Sequence, residues 1–366
     1  MTRITRVASD WLWRRCKMRC MTGLLRTPTA PRVLVAAVLG LATTIGAAGY
    51  HVARKIPVPG DYGYDYISAD TEGRRLYVGH ACGITVLNLD TGAIVGSVGW
   101  GTDMHGAAIA REFGKGFISQ TNPDSGSVVI FDLKSLARLG EVTVGRDPNL
   151  ILFDRKTGRI FTADRGDQRM SAIDAKTGKL AGAIENLGGR TEHGASDEKG
   201  HVFLNMQDKG LVYRIDAQAL KVLNTWPTTG CDQPSSMDMD KQSGRLFIGC
   251  RGGGGKMLVM DAASGRVVAT MPIGPGVDAT EFYQEKGLIF FASGGDGTLS
   301  VFHEDSPDTY SLVERAKTQV NARTLAVDHK TGRVYLPVAE FGPAPPGGRG
   351  RGRMVPGSFG VLHVEP

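Results

Sequence analysis

The stretch Arg74-Arg75-Leu76-Tyr77-Val78-Gly79 is followed closely by Ile84-Thr85-Val86-Leu87-Asn88-Leu89-Asp90-Thr91-Gly92 and by Ile94-Val95-Gly96-Ser97-Val98. Val, Ile, Leu and Tyr alternate here with small or polar residues, which is the period-2 pattern of half-buried β-strands. Asp90-Thr91-Gly92 predicts a tight turn, because Asp and Gly adopt the backbone conformations that a reversal requires. The stretch therefore predicts three short strands joined by turns.

The same unit recurs along the chain, marked by one aromatic residue in each second strand. These aromatic anchors are Tyr77, Phe117, Phe161, Phe203, Phe247, Phe290 and Tyr335, and neighbouring anchors are 40 to 45 residues apart. A second series ends each third strand with a similar period, until an insertion lengthens the last interval: Asn88, Asp132, Asp174, Asp216, Asp261, His303 and His363. Repeats of this length built from short strands predict an all-β propeller with four antiparallel strands per blade. Seven anchors predict seven blades.

The two ends of the repeat region predict how the propeller closes. The last unit stops at Val361-Leu362-His363-Val364 without a fourth strand, whereas the strand-like segment His51–Val58 precedes the first unit. We expect this N-terminal strand to complete blade 7, because closure removes exposed sheet edges. The sequence thus predicts one propeller domain over residues 50–366, with a Pro/Gly/Arg-rich insertion at residues 342–357 of blade 7.

Leu76-Tyr77-Val78, the third-strand ends and Gly244-Arg245-Leu246-Phe247-Ile248 resemble the repeats of the YVTN, or YncE-like, seven-bladed β-propeller proteins. The resemblance covers about residues 51–366 and rests on a structural motif, and proteins that share such a fold differ in function. It implies an exported scaffold that holds a small ligand or a protein partner on one face. Lactonase-like and quinoprotein-dehydrogenase-like propellers share the architecture, so an enzyme on the same fold is the alternative.

Residues 1–49 predict a secretory leader. The uncharged apolar run at residues 33–49 follows Arg26 and Arg32 and ends in small residues, as in a signal peptide cleaved near Ala48 or Gly49. We therefore expect a periplasmic or secreted protein. The alternative is a membrane anchor formed by residues 33–49, and Met21 is an alternative start.

The positive net charge of the chain comes from the leader. Residues 1–49 contain eight of the 43 Lys and Arg residues but one of the 37 acidic residues, so the remainder is close to neutral. This balance argues against nucleic acid as a partner of the propeller. We expect a monomer that contacts a membrane only through an uncleaved leader.

Polar residues collect on the loops of one propeller face. The connection that enters each inner strand and the loop between the second and third strands open on the same side, here called the funnel face. A concave centre ringed by polar groups is where a ligand would bind. The candidate ligand-binding residues are Asp65, His80, Asp103, His105, Asn149, Glu192, His193, Asp278 and Arg323. The alternative is that these residues are polar only because surface loops are polar.

Motifs for metal binding and catalysis are weak. His80, Cys82, His105 and His193 carry groups that suit zinc or copper, but neither HExxH nor paired CxxC spacing accompanies them, so no metal site is predicted. No CxxCH haem motif and no GxSxG nucleophile elbow is present, and no Ser-His-Asp set can be ordered from the sequence. We assign no catalytic residue and no cofactor.

Two cysteines are predicted to pair. Cys231 lies in the connection that enters blade 5, and Cys250 ends the second strand of that blade. The start of an inner strand lies beside the end of its antiparallel neighbour, so both thiols reach the funnel face within bonding distance. An oxidising compartment would let the disulfide form, and Cys82 in blade 1 would stay a free thiol. The alternative is two unpaired loop cysteines.

Overall fold

The computed structural model describes residues 49–60, 63–80, 83–99, 101, 103–343 and 352–366. These residues form seven four-stranded antiparallel sheets and three single-turn 3₁₀ helices, so the predicted all-β, seven-bladed propeller is confirmed. Residues 1–48 of the predicted leader, Cys82, and residues 344–351 of the insertion lie outside the described residues.

The strands are numbered in chain order, beginning with β1 (His51–Pro57). Blade 1 is formed by β2 (Tyr64–Asp70), β3 (Arg75–His80), β4 (Gly83–Asn88) and β5 (Ile94–Val98). Blade 2 is formed by β6 (Met104–Ala110), β7 (Lys115–Thr121), β8 (Gly126–Asp132) and β9 (Arg138–Val144). Blade 3 is formed by β10 (Pro148–Asp154), β11 (Arg159–Asp164), β12 (Arg169–Asp174) and β13 (Lys179–Ile184). Blade 4 is formed by β14 (Thr191–Ser196), β15 (His201–Met206), β16 (Leu211–Asp216) and β17 (Lys221–Pro227).

The remaining three blades follow the same plan. Blade 5 is formed by β18 (Pro234–Asp240), β19 (Arg245–Cys250), β20 (Lys256–Asp261) and β21 (Val267–Pro272). Blade 6 is formed by β22 (Val277–Tyr283), β23 (Leu288–Ser293), β24 (Thr298–Ser306) and β25 (Thr309–Lys317). Blade 7 contains β26 (Ala326–Asp328), β27 (Arg333–Val338) and β28 (Gly360–Glu365), and β1 is its outer strand.

The N-terminal strand closes the ring, as the sequence predicts. Strand β1 pairs antiparallel with β28, so that His51 lies opposite Glu365 and Pro57 opposite Gly360. The inner strand β2 of blade 1 contacts both β6 of blade 2 and β26 of blade 7. Every blade therefore packs between two neighbours.

The aromatic anchors form the core between the blades. All seven are buried in the interior. Phe247 of blade 5 contacts Phe282 of blade 6 with ring centroids 5.0 Å apart, and Tyr77 of blade 1 contacts Phe131 of blade 2 at 5.7 Å. Burial of one such ring stabilises the fold by about 1.5–3 kcal/mol, so the repeated aromatic position is a repeated contribution to stability.

The acidic residues that end the third strands build the turns. The Asp132 carboxylate accepts the backbone N–H of Ser135 at 2.7 Å, and Asp216 accepts that of Ala219 at the same distance. Asp261 repeats the contact with Ser264 at 2.8 Å. These side chains replace backbone hydrogen bonds in the reversal, which explains their period along the chain.

Candidate functional site

Six of the seven inner strands bend at their start. In blades 1 to 6 the pairing with the second strand shifts register at this point, for example between Tyr64 and Ile67 and between Met104 and Ala107. A bulge of this kind re-aims a side chain. The residue at the bend is the second of its strand. The six residues are Asp65, His105, Asn149, Glu192, Ser235 and Asp278. In blade 7 the equivalent residue is Arg323, which precedes the aromatic anchor by twelve positions. We call these seven residues the mouth ring.

The backbone ahead of the mouth ring is also unusual. In five blades the residue two positions earlier has a positive φ: Asp103 (52°), Asp147 (53°), Gln233 (54°), Gly276 (72°) and Asn321 (77°). Asp, Asn and Gly tolerate the left-handed region better than other residues do. The sharp turn places the side chains that follow it at the centre of the funnel face.

Close packing of blades 1 and 2 brings the first two ring residues together. A Cβ atom on Gly79 would lie 2.4 Å from the carbonyl oxygen of His105 and 2.8 Å from that of Tyr66, so only glycine fits. Asp65 Oδ2 accepts a hydrogen bond from Nδ1 of His105 at 2.9 Å. This contact joins neighbouring blades across the mouth.

Ion pairs continue around the ring from blade 1 toward blade 5. Arg323 donates to Asp65 at 3.2 Å and to Asp278 at 2.7 Å. Asp278 also accepts a short hydrogen bond from Arg251 on the loop after β19. Four charged groups on blades 5, 6, 7 and 1 thus form one connected chain.

A second chain of polar contacts covers blades 3 and 4. Arg165 donates to Asp147 at 2.7 Å and to Glu192 at 3.3 Å. Glu192 also accepts hydrogen bonds from Asn149 at 2.9 Å and from Arg190 at 3.1 Å. The two chains approach each other where Asp147 Oδ1 lies 3.9 Å from His105 Nε2.

Two arginines at the mouth, Arg190 and Arg251, are more exposed than the acids that they bond. The Arg190 side chain is 51% exposed while that of its partner Glu192 is 4% exposed. The Arg251 side chain is 37% exposed and that of Asp278 is 11% exposed. Two guanidinium groups at the mouth are therefore more accessible to an approaching ligand than the carboxylates that hold them.

The charges of the ring shift the pKa values of its members in different directions. Burial raises the pKa of Glu192, and the charge of Asp278 adds to this effect, against the lowering effect of Arg165. Burial also acts to raise the pKa of Asp65, but the hydrogen bond and charge of His105 and the charges of Arg323 and Arg165 together outweigh it, and the pKa is lowered. Burial acts to lower the pKa of His105, yet the hydrogen bond and charge of Asp65 and the charges of Asp103 and Asp147 together outweigh it, and the pKa is raised. Asp65 and His105 therefore favour each other's charged forms.

A central channel continues below the mouth with a volume of about 550 Å³. Tyr66 and His193 line it with ring centroids 5.3 Å apart. Deeper in the channel, burial raises the pKa of Asp238 and raises that of Glu281 well above its ordinary value. Asp238 accepts a hydrogen bond from the backbone N–H of Phe282 at 2.7 Å, and Glu281 accepts one from that of Val327 at 2.8 Å. Each carboxyl thus bonds the inner strand of the next blade, whose edge would otherwise be unpaired.

Three candidates from the sequence lie outside the ring. His80 bonds Thr85 at 2.9 Å within blade 1, and burial lowers its pKa to about 4. Asp103 forms the turn before His105, and its carbonyl accepts the N–H of Thr121 at 3.1 Å. His193 lies in the channel, where its Nδ1 is 3.2 Å from the carbonyl of Met237. The structure brings the other six candidates, Asp65, His105, Asn149, Glu192, Asp278 and Arg323, to the mouth.

Six polar residues at the mouth are not in the candidate set, although the sequence places Arg165 and Arg251 on loops of this face: Thr121, Asp147, Arg165, Arg190, Ser235 and Arg251. A signal for the ring itself is present in the sequence, because the ring residue precedes the aromatic anchor by twelve positions in six blades and by eleven in blade 4. That offset identifies Ser235. The partners on the loops follow no comparable offset.

The disulfide Cys231–Cys250 is present, with a Cα–Cα distance of 5.3 Å. It joins the connection that enters blade 5 to the end of β19. The N–H of Arg251 bonds the carbonyl of Gln233 at 3.0 Å beside it. These links hold the backbone that carries Arg251 against the mouth.

Within the described ranges, no three His, Cys, Asp or Glu side chains are placed to hold a metal ion together. The same part of the chain contains no helix that is both long and apolar enough to cross a membrane.

No family model matches the sequence, and no curated protein is significantly similar to it. Many solved structures share its fold. A chain of the mitotic checkpoint complex is 14% identical with a TM-score of 0.69, over 93% of this chain and 99% of that one. A chain of hydrazine synthase from Kuenenia stuttgartiensis is 14% identical with a TM-score of 0.66, over 76% and 94% of the two chains. The WD40 repeats of RRP9 are 10% identical with a TM-score of 0.69, over 85% and 97%. At these identities the comparison shows the fold alone: a seven-bladed propeller with WD40-like neighbours.

Proposed function

We propose that this protein is an exported, YncE-like propeller that binds an anionic small ligand at the mouth of its funnel face. The WD40-like fold supports a binding scaffold, and the YVTN-like repeats and the signal-like residues 1–49 support the finer statement. N-terminal sequencing of the protein from its native cell envelope tests export. A first residue near Gly49 is expected, and a mature chain that still begins at Met1 or Met21 would contradict the cleaved leader.

The observation that carries the binding proposal is the layered arrangement of charge. Arg190 and Arg251 lie over Glu192 and Asp278, which hold the two guanidinium groups in place from below. Such support reduces the entropy lost when an arginine binds a ligand. Arginine matches carboxylate and phosphate groups with paired N–H donors, so the surface suits a ligand that carries one of these groups.

Two arginines can be removed without leaving a buried acid unpaired. Without Arg190, Glu192 still bonds Arg165, and without Arg251, Asp278 still bonds Arg323. The variants Arg190→Gln and Arg251→Gln should therefore fold normally. This makes them suitable probes of the mouth.

The test is isothermal titration calorimetry of residues 49–366 with citrate and with pyrophosphate. We expect binding that weakens with salt, and a loss of roughly tenfold in affinity for each substitution, since a hydrogen bond to a charged group is worth about 1.5–3 kcal/mol. Arg266→Gln is the matched control, because this arginine is 61% exposed but lies on the third-to-fourth strand turn of blade 5, away from the funnel face. Absence of binding by both probes, or equal binding by the double variant, would contradict the proposal.

A further inference from the structure

His105 lies between a carboxylate and a hydroxyl. Its Nδ1 is 2.9 Å from Asp65 Oδ2, and its Nε2 is 2.9 Å from Thr121 Oγ1. Three elements supply the set: β2 carries Asp65, β6 carries His105, and Thr121 ends β7. An acid, an imidazole and a hydroxyl in this order are the arrangement of a nucleophilic triad.

The carboxylate decides the tautomer of the imidazole. An ionised Asp65 can only accept a hydrogen bond, so Nδ1 carries the proton. In the neutral imidazole the lone pair is then on Nε2, which faces the hydroxyl of Thr121. The ring nitrogen is therefore placed to take the hydroxyl proton.

The surroundings hold this set in place. Arg323 donates to the other oxygen of Asp65 at 3.2 Å and so fixes the carboxylate. His105 is buried, whereas Thr121 is partly exposed on the funnel face. Charge interactions are stronger in such a desolvated site than in water, and only the hydroxyl needs to be reached by a substrate.

We propose that Asp65, His105 and Thr121 form an acyl-transfer site that hydrolyses small carboxylic esters, with Thr121 as the nucleophile. The activity is independent of the anion binding proposed above, because neither Arg190 nor Arg251 belongs to the set.

The reaction balances with water as the only co-reactant. Thr121 Oγ1 forms a bond to the ester carbonyl carbon while Nε2 of His105 takes the hydroxyl proton. The tetrahedral intermediate then breaks its bond to the alcohol oxygen, which leaves with that proton. Water next gives a proton to Nε2 and attacks the acyl carbon, and the acyl–oxygen bond to Thr121 breaks as the proton returns to Oγ1. The products are the alcohol and the carboxylic acid.

Asp65 and Arg165 have the electrostatic roles. Asp65 stabilises the imidazolium that forms in each half of the reaction. Arg165 bonds Asp147, whose Oδ1 lies 3.9 Å from His105 Nε2. We assign its positive charge, held beside His105 through Asp147, to stabilising the oxyanion that develops.

A second His–Thr pair has no acid partner in the part of the chain that the structure describes. His80 Nε2 is also 2.9 Å from a threonine hydroxyl, that of Thr85. Its Nδ1 has no hydrogen-bond partner among the described residues, and Thr85 is buried. If a His–Thr contact alone activated a hydroxyl, both threonines would react, whereas the proposal requires reaction at Thr121 only.

The test combines covalent labelling with turnover. Residues 49–366 are treated with a fluorophosphonate, which modifies activated hydroxyl groups, and the labelled peptide is identified by mass spectrometry. Hydrolysis of p-nitrophenyl acetate is followed in parallel. We expect the label on Thr121 and not on Thr85, and loss of both label and hydrolysis in Thr121→Val, by about 100-fold or more for the rate.

Further variants separate a catalytic role from a structural one. Thr121→Ser should retain the label and the activity, because the hydroxyl is kept, and Thr85→Val should match the wild type in both. Melting temperatures confirm that each variant is folded. The proposal is overturned if Thr121 is not labelled in the folded wild-type protein, or if Thr121→Val hydrolyses the ester as fast as the wild type.

Discussion

The pKa of His105 results from opposing effects at a single residue. Burial disfavours the imidazolium, whereas the hydrogen bond and charge of Asp65 and the charges of Asp103 and Asp147 together favour it strongly enough to raise the pKa. His80 is also largely enclosed but has no acid beside it among the described residues, and burial lowers its pKa to about 4. The pKa values of two histidines in neighbouring blades therefore shift in opposite directions, because His105 has a carboxylate partner and His80 has none within the described ranges.

Asp65→Asn should lower the pKa of His105, because the amide keeps an acceptor but removes the negative charge. Protonation of His105 stabilises the wild-type fold fully below about pH 6.5 and stops doing so as the pH rises through the raised pKa. Ionisation of Asp65 contributes above about pH 3.9 and is lost as the pH falls through its lowered pKa. The stability lost in Asp65→Asn should thus be greatest between these limits.

Imidazole NMR across a pH titration measures the effect, and His80 is the internal control because its environment is unchanged. Urea unfolding at several pH values measures the stability. An unchanged or higher pKa for His105 in Asp65→Asn would show that Asp65 is not the dominant partner.

The residues of the ring were easier to predict than their contacts. Asp65, His105 and Asp278 could be placed on the funnel face because a propeller repeat fixes which end of a strand faces which side. The contacts of Asp147 and Thr121 depend on a positive φ and on the approach of a second blade. The approach of a second blade has no sequence signal, so the order Asp65–His105–Thr121 could not be derived from the sequence.

At the scale of elements, blade 5 differs from its neighbours because a covalent bond supports its mouth loop. The four glycines after Arg251 favour a mobile loop, since glycine loses much conformational freedom on folding. The Cys231–Cys250 disulfide and the bond from Arg251 N–H to Gln233 limit that freedom. The disulfide was predictable because antiparallel neighbours bring the start of one strand beside the end of the other.

The double variant Cys231→Ala/Cys250→Ala should reduce the free energy of unfolding by about 3 kcal/mol, since the bond closes a loop with a sequence separation of 19 residues. Urea unfolding measures the change, and the wild type treated with dithiothreitol should show a similar loss. Citrate or pyrophosphate binding should weaken in the same samples, because the backbone that carries Arg251 is released. A double variant with the wild-type unfolding midpoint would mean that the disulfide contributes no stability.

At the scale of the whole molecule, the mouth ring exists only in the closed propeller. Arg323 of blade 7 bonds Asp65 of blade 1, the two blades farthest apart in sequence. The seven-fold repeat and the missing fourth strand of blade 7 were sufficient to predict closure by β1. The exposure of Arg190 and Arg251 above Glu192 and Asp278 was not predictable, because it depends on how the inner strands of seven blades converge on one axis.

Deletion of residues 49–58 should destabilise the protein far more than deletion of residues 1–48. The first deletion removes β1, exposes the edge of β28 and takes away the buried side chains of Tyr50, Ile56 and Val58. Each is worth about 1.5–3 kcal/mol, so we expect a lower melting temperature and association through the open edge. Light scattering and thermal unfolding measure both.

A synthetic peptide of residues 49–59 should restore the monomer by adding the missing strand, as in other cases of strand addition. A monomer that lacks residues 49–58, melts like the longer chain and ignores the peptide would show that β1 is not required for closure.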